Sequence, residues 1–273
     1  MPDAAAIRLF TPPAGLLRGR VIAITGAGDG IGRALALGAA RLGAQLVLIG
    51  RTVRRLESVH AEIAALGTGE APAAEASIAP LDLEKALAGD YDQLAAAVTA
   101  RYGRLDGLVH NAALLGTVAP IEHADMLNWC RVLHVNLTAA FALTQVLLPA
   151  LRASTDASVI FTSSGVGRRG RANWGAYAVS KFGVEGLSQV LADELSGNSV
   201  VRVNAVNPGS TRTRMRRQAF PGEDAGLLPE PAAIINPYLW LLGPASRGIT
   251  GQSLDCQPLR PPGPAAARAA APA

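Results

Sequence analysis

Lysine is almost missing from this sequence. Only Lys85 and Lys181 contribute lysines to a total of 25 basic residues, so the net charge of +4 rests on arginine. No recognition module and no aromatic-interleaved basic stretch accompanies those arginines, which argues against nucleic acid and leaves solvated guanidinium groups as the simpler reading. Cysteine is as sparse. Cys130 and Cys256 lie far apart without metal-type spacing, which excludes a disulfide framework and points to a reducing, cytoplasmic setting. His60, His110, His123 and His134 show no ligand spacing either, so no metal site is predicted. The opening MPDAAAIRLFTPPAGLLRGR has prolines and charges where a signal peptide needs an apolar run. One long apolar run does occur, Val132 to Leu151, but Asn136, Gln145 and Pro149 interrupt it. It reads as a helix buried by protein on most faces, not as a membrane span.

What is present fits one domain. A chain of 273 residues, 49% hydrophobic and 17% charged, can bury a single sizeable core. Residues 1–18 read as an N-terminal extension of uncertain order, 19–259 as the domain, and 260–273 (RPPGPAAARAAAPA) as a Pro/Ala-rich tail of disordered composition. Within the domain, apolar runs alternate with helix-periodic segments: VIAIT, QLVLIG, SIAPLDL, RLDGLVH, SVIFTSS, VVRVNAVN and a final ITGQSLDCQ. Seven strands so interleaved predict an α/β fold of the Rossmann type, a doubly wound, seven-stranded parallel sheet flanked by helices.

The first strand leads into a glycine cluster, Gly26, Gly30 and Gly32, and then a helix. Little side-chain bulk in such a turn lets backbone approach a pyrophosphate, while the helix offers its N-terminal amides to the anion. The second apolar run ends at Gly50 and Arg51, where an acidic residue would accept hydrogen bonds from an adenosine 2′-hydroxyl. Arginine accepts none but pairs with a 2′-phosphate, so NADP(H) is favoured over NAD(H).

Three side chains between residues 164 and 181 are spaced for chemistry. Tyr177 and Lys181 stand four apart on a helical segment, which sets an ammonium beside a phenol. A phenol is a poor base at neutral pH, and a neighbouring cation is expected to bring it toward a useful range. Ser164 follows the fifth apolar run, where a hydroxyl at a strand's C-terminal end faces the ligand crevice of an open α/β sheet. Alone, each of these residues has a structural reading: Tyr-x-x-x-Lys recurs in amphipathic helices, Asp82 is a turn former and Thr213 a helix cap.

Taken together, TGAGDGIG (25–32), LDL (81–83), HNAA (110–113), Asn136, Ser164, YAVSK (177–181) and NPG (207–209) resemble the short-chain dehydrogenase/reductase family across roughly residues 19–257. Within it, FTSSGVGRRGRANWGAYAVSKFG and TGQSLDCQPLR are most similar to the YciK group of bacterial oxidoreductases. The resemblance implies a catalytic set of Asn136, Ser164, Tyr177 and Lys181. Tyr177 would exchange a proton with the substrate oxygen, Lys181 would lower its pKa and hold the nicotinamide ribose, Ser164 would orient the substrate, and Asn136 would support a water in a proton relay. The implied cofactor contacts are Gly26, Gly30, Ile31, Gly32, Arg51, Asp82, Leu83, Asn111, Tyr177, Lys181, Pro208, Gly209 and Thr213. Two residues depart from the family's Asn-Asn-Ala-Gly: His110, read as a satisfied buried residue, and Ala113.

The expected activity is therefore NADP(H)-dependent interconversion of a small-molecule carbonyl and a secondary alcohol. The alternative is a nucleotide-binding regulatory or scaffold protein of the same fold with little turnover. Arg168, Arg169, Arg171, Arg212, Arg214, Arg216 and Arg217 admit an electropositive mouth for an anionic or carrier-bound substrate, or else solvated loop arginines. The resemblance also implies a homodimer or homotetramer joined through helices near 124–151 and 175–196.

Overall fold

The structure is a computed structural model and describes residues 3–66, 75–197 and 199–258; the predicted tail and the small-residue loop after residue 66 lie outside the described residues, the loop in part. The strands are β1 (Val21–Thr25), β2 (Gln45–Gly50), β3 (Ala76–Pro80), β4 (Gly107–His110), β5 (Ala157–Thr162), β6 (Val201–Asn207) and β7 (Ser253–Asp255). The helices are α1 (Ala4–Arg8), α2 (Gly30–Arg41), α3 (Val53–Ala65), α4 (Ala88–Tyr102), α5 (Met126–Leu133), α6 (Ala139–Arg152), α7 (Gly175–Glu194), α8 (Arg214–Ala219) and α9 (Asn236–Leu242).

All seven strands pair in parallel in the order β3-β2-β1-β4-β5-β6-β7. Strand order therefore reverses between β1 and β4, and that switch point opens a crevice at the strands' carboxyl ends. A parallel sheet is covered on both faces, so its central strands carry continuous apolar runs. Alternate residues point to opposite sides. Ile22, Ile24, Leu46 and Leu48 join α2, α3 and α9 in one core, while Val21, Ala23, Val47 and Ile49 join α4, α6 and α7 in the other.

Two details differ from the sequence-based expectation. The N-terminal segment is docked: Asp3 caps α1, Ile7 and Leu17 are buried in the first core, and Leu17 N donates to Leu42 O at 3.0 Å. Strand β3 stops at Pro80, so Asp82 sits in the turn beyond it, where its carboxylate accepts from Glu84 N. The long apolar segment lies in one helix, Met126–Arg152, and within 132–151 only Thr138, Phe141, Gln145 and Pro149, which follow one helical face, are exposed. A π-helical turn, His134–Thr138, joins its two halves.

At the sheet's amino end, polar side chains replace the apolar pattern. Asp156 is buried and bridges Arg20 (3.1 Å), Arg202 (3.0 Å) and Arg247 (3.3 Å). Burial pushes the Asp156 carboxyl up, but Arg202 and Arg20 outweigh it and hold it below the ordinary range. A depressed folded pKa adds stability that is fully present above the unfolded value and is lost as pH falls through the folded one. Asp156→Asn should therefore cost ~3 kcal/mol at neutral pH, since it strands buried arginine charge. It should also flatten the loss of stability below about pH 4; urea unfolding of both proteins between neutral and acid pH measures this.

Candidate active site

The crevice at the carboxyl ends of the strands is a cavity of about 770 Å³, within the range of small-molecule sites. The first β-α turn forms its floor. Gly26 and Gly30 adopt positive φ (66° and 52°), which side chains with a Cβ resist. A Cβ on Gly28 would meet Arg55 Cβ at 2.9 Å, and one on Gly30 would meet the Thr213 methyl at 3.4 Å. The amino end of α2 is capped by Asp29, whose carboxylate accepts from Gly30 N at 2.8 Å and pairs with Arg55 at 2.9 Å.

Gly32 has a different role from the one its motif implies. It does not line the cavity, and a Cβ there would sit 2.2 Å from Gly26 O and 2.6 Å from Asn111 Nδ2. It lets α2 close onto the turn and onto the end of β4. Asn111 in turn donates Nδ2 to Thr25 O at 3.1 Å, while the Thr25 hydroxyl accepts from Asn111 N and Ala112 N at 2.9 and 3.0 Å. Thr25 thus ties the two strand ends at the switch point, a function its place at the end of an apolar run did not disclose.

Along one wall lie Ile31, Arg51, Asp82, Leu83 and Asn111. Arg51 is about half exposed and faces Glu84 at 3.5 Å; Glu84 also pairs with Arg131 at 2.7 Å. Pro208, Gly209 and Thr213 also line the cavity, and the Thr213 hydroxyl caps α8 by accepting from Arg216 N at 3.1 Å. The cap reading of Thr213 is therefore realised, on a residue that still lines the cleft.

The deep end holds Ser164, Tyr177 and Lys181 together. Lys181 is buried, donates to Thr162 O at 2.7 Å, and places its ammonium 5.7 Å from the centre of the Tyr177 ring. The expected electrostatics do not follow. Burial pushes the Tyr177 hydroxyl up to about 12 against a smaller downward pull from its hydrogen bond with Ser164. Burial also pulls Lys181 down to about 8, opposed by the charge of Glu185. Desolvation thus dominates both groups, and the ammonium is directed at a backbone carbonyl.

Asn136 lies behind this end and does not line the cavity. It sits in the π-helical turn, donates Nδ2 to Leu114 O (2.9 Å) and Ser180 Oγ (3.0 Å), and accepts from Leu114 N (2.7 Å). It holds the 112–115 segment against α7. His110 is buried as expected: it stacks on Phe161 at 4.7 Å, bonds Thr144 Oγ1 at 2.8 Å, and burial lowers its pKa to about 3. Ala113 lines the cleft beside it.

Three of the arginines named for the mouth have acidic partners. Arg168 turns away into a pair with Glu185 and Asp255, Arg212 pairs with Glu230, and Arg216 makes a two-pronged contact with Glu223 at 2.6 Å on both arms. Aromatic rings stack nearby: Trp174 packs on Tyr177 (5.8 Å) and on Phe220 (5.7 Å), with Arg171 over the Trp174 and Phe220 rings. Trp174 escaped the sequence reading, although its place three residues before Tyr177 sets it close by on the same side.

A cleft of this kind at the switch point of a doubly wound sheet defines a nucleotide-dependent α/β enzyme class. The short chain dehydrogenase family profile matches residues 20–224, and this chain belongs to that family. It is 48% identical to the oxidoreductase YciK of Escherichia coli (strain K12) over 254 residues, 93% of this chain and 98% of that protein. Among solved structures, a short chain dehydrogenase from Escherichia coli CFT073 complexed with NADPH aligns with a TM-score of 0.83 at 49% identity, covering 90% of this chain and 100% of the other. One from Shigella flexneri 2a str. 301 complexed with NADP aligns with a TM-score of 0.84 at 47% identity, with 90% and 100% covered.

The closeness around Gly32 yields a test. Gly32→Ala should destabilise the fold by ~1–3 kcal/mol, as overpacking does. It should also weaken dinucleotide binding through displacement of the Gly26 turn, as thermal melts with and without NADPH would report.

Proposed function

We propose that this chain is an NADP(H)-dependent oxidoreductase that interconverts a carbonyl and a secondary alcohol. The observation that carries it is the convergence of Ser164, Tyr177 and Lys181 at one end of a cleft whose other end is a glycine turn with an arginine at its rim. The residues fit the cofactor: Gly26, Gly28 and Gly30 leave a cradle that a Cβ would fill or strain, and the buried Ser163 hydroxyl lines the cleft without a hydrogen-bond partner among the described residues. Solved relatives that hold NADP and NADPH support the same reading.

NADPH, when bound, supplies the hydride; the protein supplies position and the proton. In reduction, the Tyr177 hydroxyl donates its proton to the carbonyl oxygen, and Ser164 orients that oxygen beside it. A phenol held near 12 stays protonated across the physiological range, which suits a proton donor. Lys181, as an ammonium, would hold the nicotinamide ribose, and it stabilises the phenolate left after transfer. Asn136 fixes the backbone of residue 114 and supports the relay that returns a proton. Arg51, 3.5 Å from Glu84, would hold the 2′-phosphate, and Asp82, Leu83 and Asn111 line the same cleft for the adenosine half.

The substrate is a small carbonyl or alcohol placed beside Trp174, which Phe220 backs from outside the cleft, with exposed Arg214, 3.9 Å from Asp29, at the cleft to attract an anionic or carrier-bound form. Assembly as a homodimer or homotetramer is part of this reading, because exposed Phe141 on α6 and exposed Val179, Phe182 and Val190 on α7 leave apolar surface uncovered. Cys130 and Cys256, both free, suit a reducing cytoplasm.

NADPH consumption screened against aldehydes, ketones, quinones and 3-oxoacyl thioesters tests the activity. With an accepted substrate, Tyr177→Phe should lose roughly 10²–10⁴-fold in kcat while NADPH still binds; turnover at the parent rate would overturn the assignment. Nucleotide binding with no turnover across the panel would favour the scaffold alternative. Arg51→Ala should raise the KM for NADPH about tenfold to a hundredfold and leave that for NADH nearly unchanged.

A further inference from the structure

The turn that follows Ser164 packs unusually close to α7. Gly167 has no side chain, and a Cβ there would stand 2.7 Å from Lys181 Cβ and 2.8 Å from its carbonyl carbon. The next residue, Arg168, is thereby delivered to the same side of α7, one turn beyond Lys181. Its Nε donates to Glu185 Oε1 at 3.2 Å, its Nη1 reaches both oxygens of Asp255 at 2.9 Å, and its Nη2 donates to Leu254 O at 3.1 Å. Ser253 Oγ donates to the same Glu185 oxygen at 2.8 Å. From Asp255 the chain of contacts runs to Asn207 Nδ2 at 2.7 Å, and Asn207 Oδ1 accepts from Gly209 N at 3.1 Å. Four pieces of the site, the Ser164 turn, the Lys181 helix, β7 and the loop at Gly209, are therefore joined through one guanidinium.

We propose that Arg168, Glu185 and Asp255 form a positioning unit that fixes the Ser164 turn against α7 and supplies the buried negative charge that keeps Lys181 an ammonium. The unit rests on the functional reading above. Its charge balance is simple: two cations, Lys181 and Arg168, face two carboxylates, Glu185 and Asp255. Among the described residues, four further titratable groups near them carry no charge. His110 on β4 is held neutral by burial, as are Tyr177 on α7, Tyr238 on α9 and Cys256 after β7, each phenol and thiol being raised by burial. A guanidinium keeps its proton across the working pH range, so lysine is the one kind of cation that can answer a missing carboxylate by deprotonating. Burial already draws Lys181 down to about 8, with Glu185 pushing it back up.

The scarcity of lysine makes this directly measurable. Protein labelled biosynthetically with 13C-lysine gives signals from Lys85 and Lys181 alone, and Lys181→Met assigns them. In the ligand-free parent, the Lys181 13Cε signal should titrate near pH 8. Glu185→Gln should move that midpoint acid by about one pH unit, roughly tenfold less ammonium at a given pH. Glu185→Asp should restore most of it, and Arg168→Met should move it in the alkaline direction while loosening the Ser164 turn and lowering kcat. The alkaline limb of kcat/KM for NADPH-dependent reduction should follow the same order. A merely structural role would lower kcat or the melting temperature with the midpoint unmoved. Should Glu185→Gln not fold, Arg168→Met carries the test with its opposite sign. Parent midpoints in the folded variants would overturn the proposal even where Tyr177→Phe abolishes turnover. Conversely, shifted midpoints with an active Tyr177→Phe would keep the charge unit and overturn the catalytic reading.

Discussion

The hydrogen bond from Lys181 to the carbonyl of Thr162 is the contact on which this site depends. It joins the middle of a helix to the end of a central strand at 2.7 Å, away from water. An ammonium in such a place is disfavoured unless acceptors and countercharge surround it. Once it is held there, the geometry of α7 leaves little freedom: Tyr177 stands one turn earlier, beside Ser164 at the strand's end, and Glu185 one turn later, in the reach of Arg168. Burial raises the phenol even so, against the smaller pull of its hydrogen bond with Ser164.

The other half of the site is governed by close approach of backbone. At Gly32 and Gly167 there is no room for a methyl group, and each absence lets one segment settle onto another. Gly32 lowers α2 onto the Gly26 turn and Asn111; Gly167 lowers the Ser164 turn onto Lys181. These glycines act through packing. Gly26 and Gly30 differ, since their positive φ angles shape the turn itself. Around both, Thr25, Asn111 and Asn136 satisfy backbone groups at strand ends that a cleft would otherwise leave unpaired.

Much of this was legible in the sequence because it is local. The apolar runs of the sheet are continuous where a strand is covered on both faces, so their number, spacing and alternation with helices announced a doubly wound parallel sheet. Tyr177 and Lys181 were visible as a pair because four residues make about one helical turn. Other features had no local signature. The docking of residues 3–18 depends on a core that Ile7 and Leu17 share with α9 and α2. Arg168 looked like one of several arginines at a basic mouth, and only the fold brings Asp255, 87 residues away, to pair with it.

The sequence by itself determined which side chains exist and which of them share a helix face or a strand end, since backbone periodicity carries that information over a few residues. Only the tertiary structure decided their chemistry. Whether Tyr177 is more or less acidic than a free phenol, whether Asn136 faces the cleft or braces the segment behind it, and whether an arginine meets substrate or a buried carboxylate all depend on desolvation and on charges brought in from distant segments. Those two quantities are properties of three-dimensional packing, and no spacing along the chain encodes their balance.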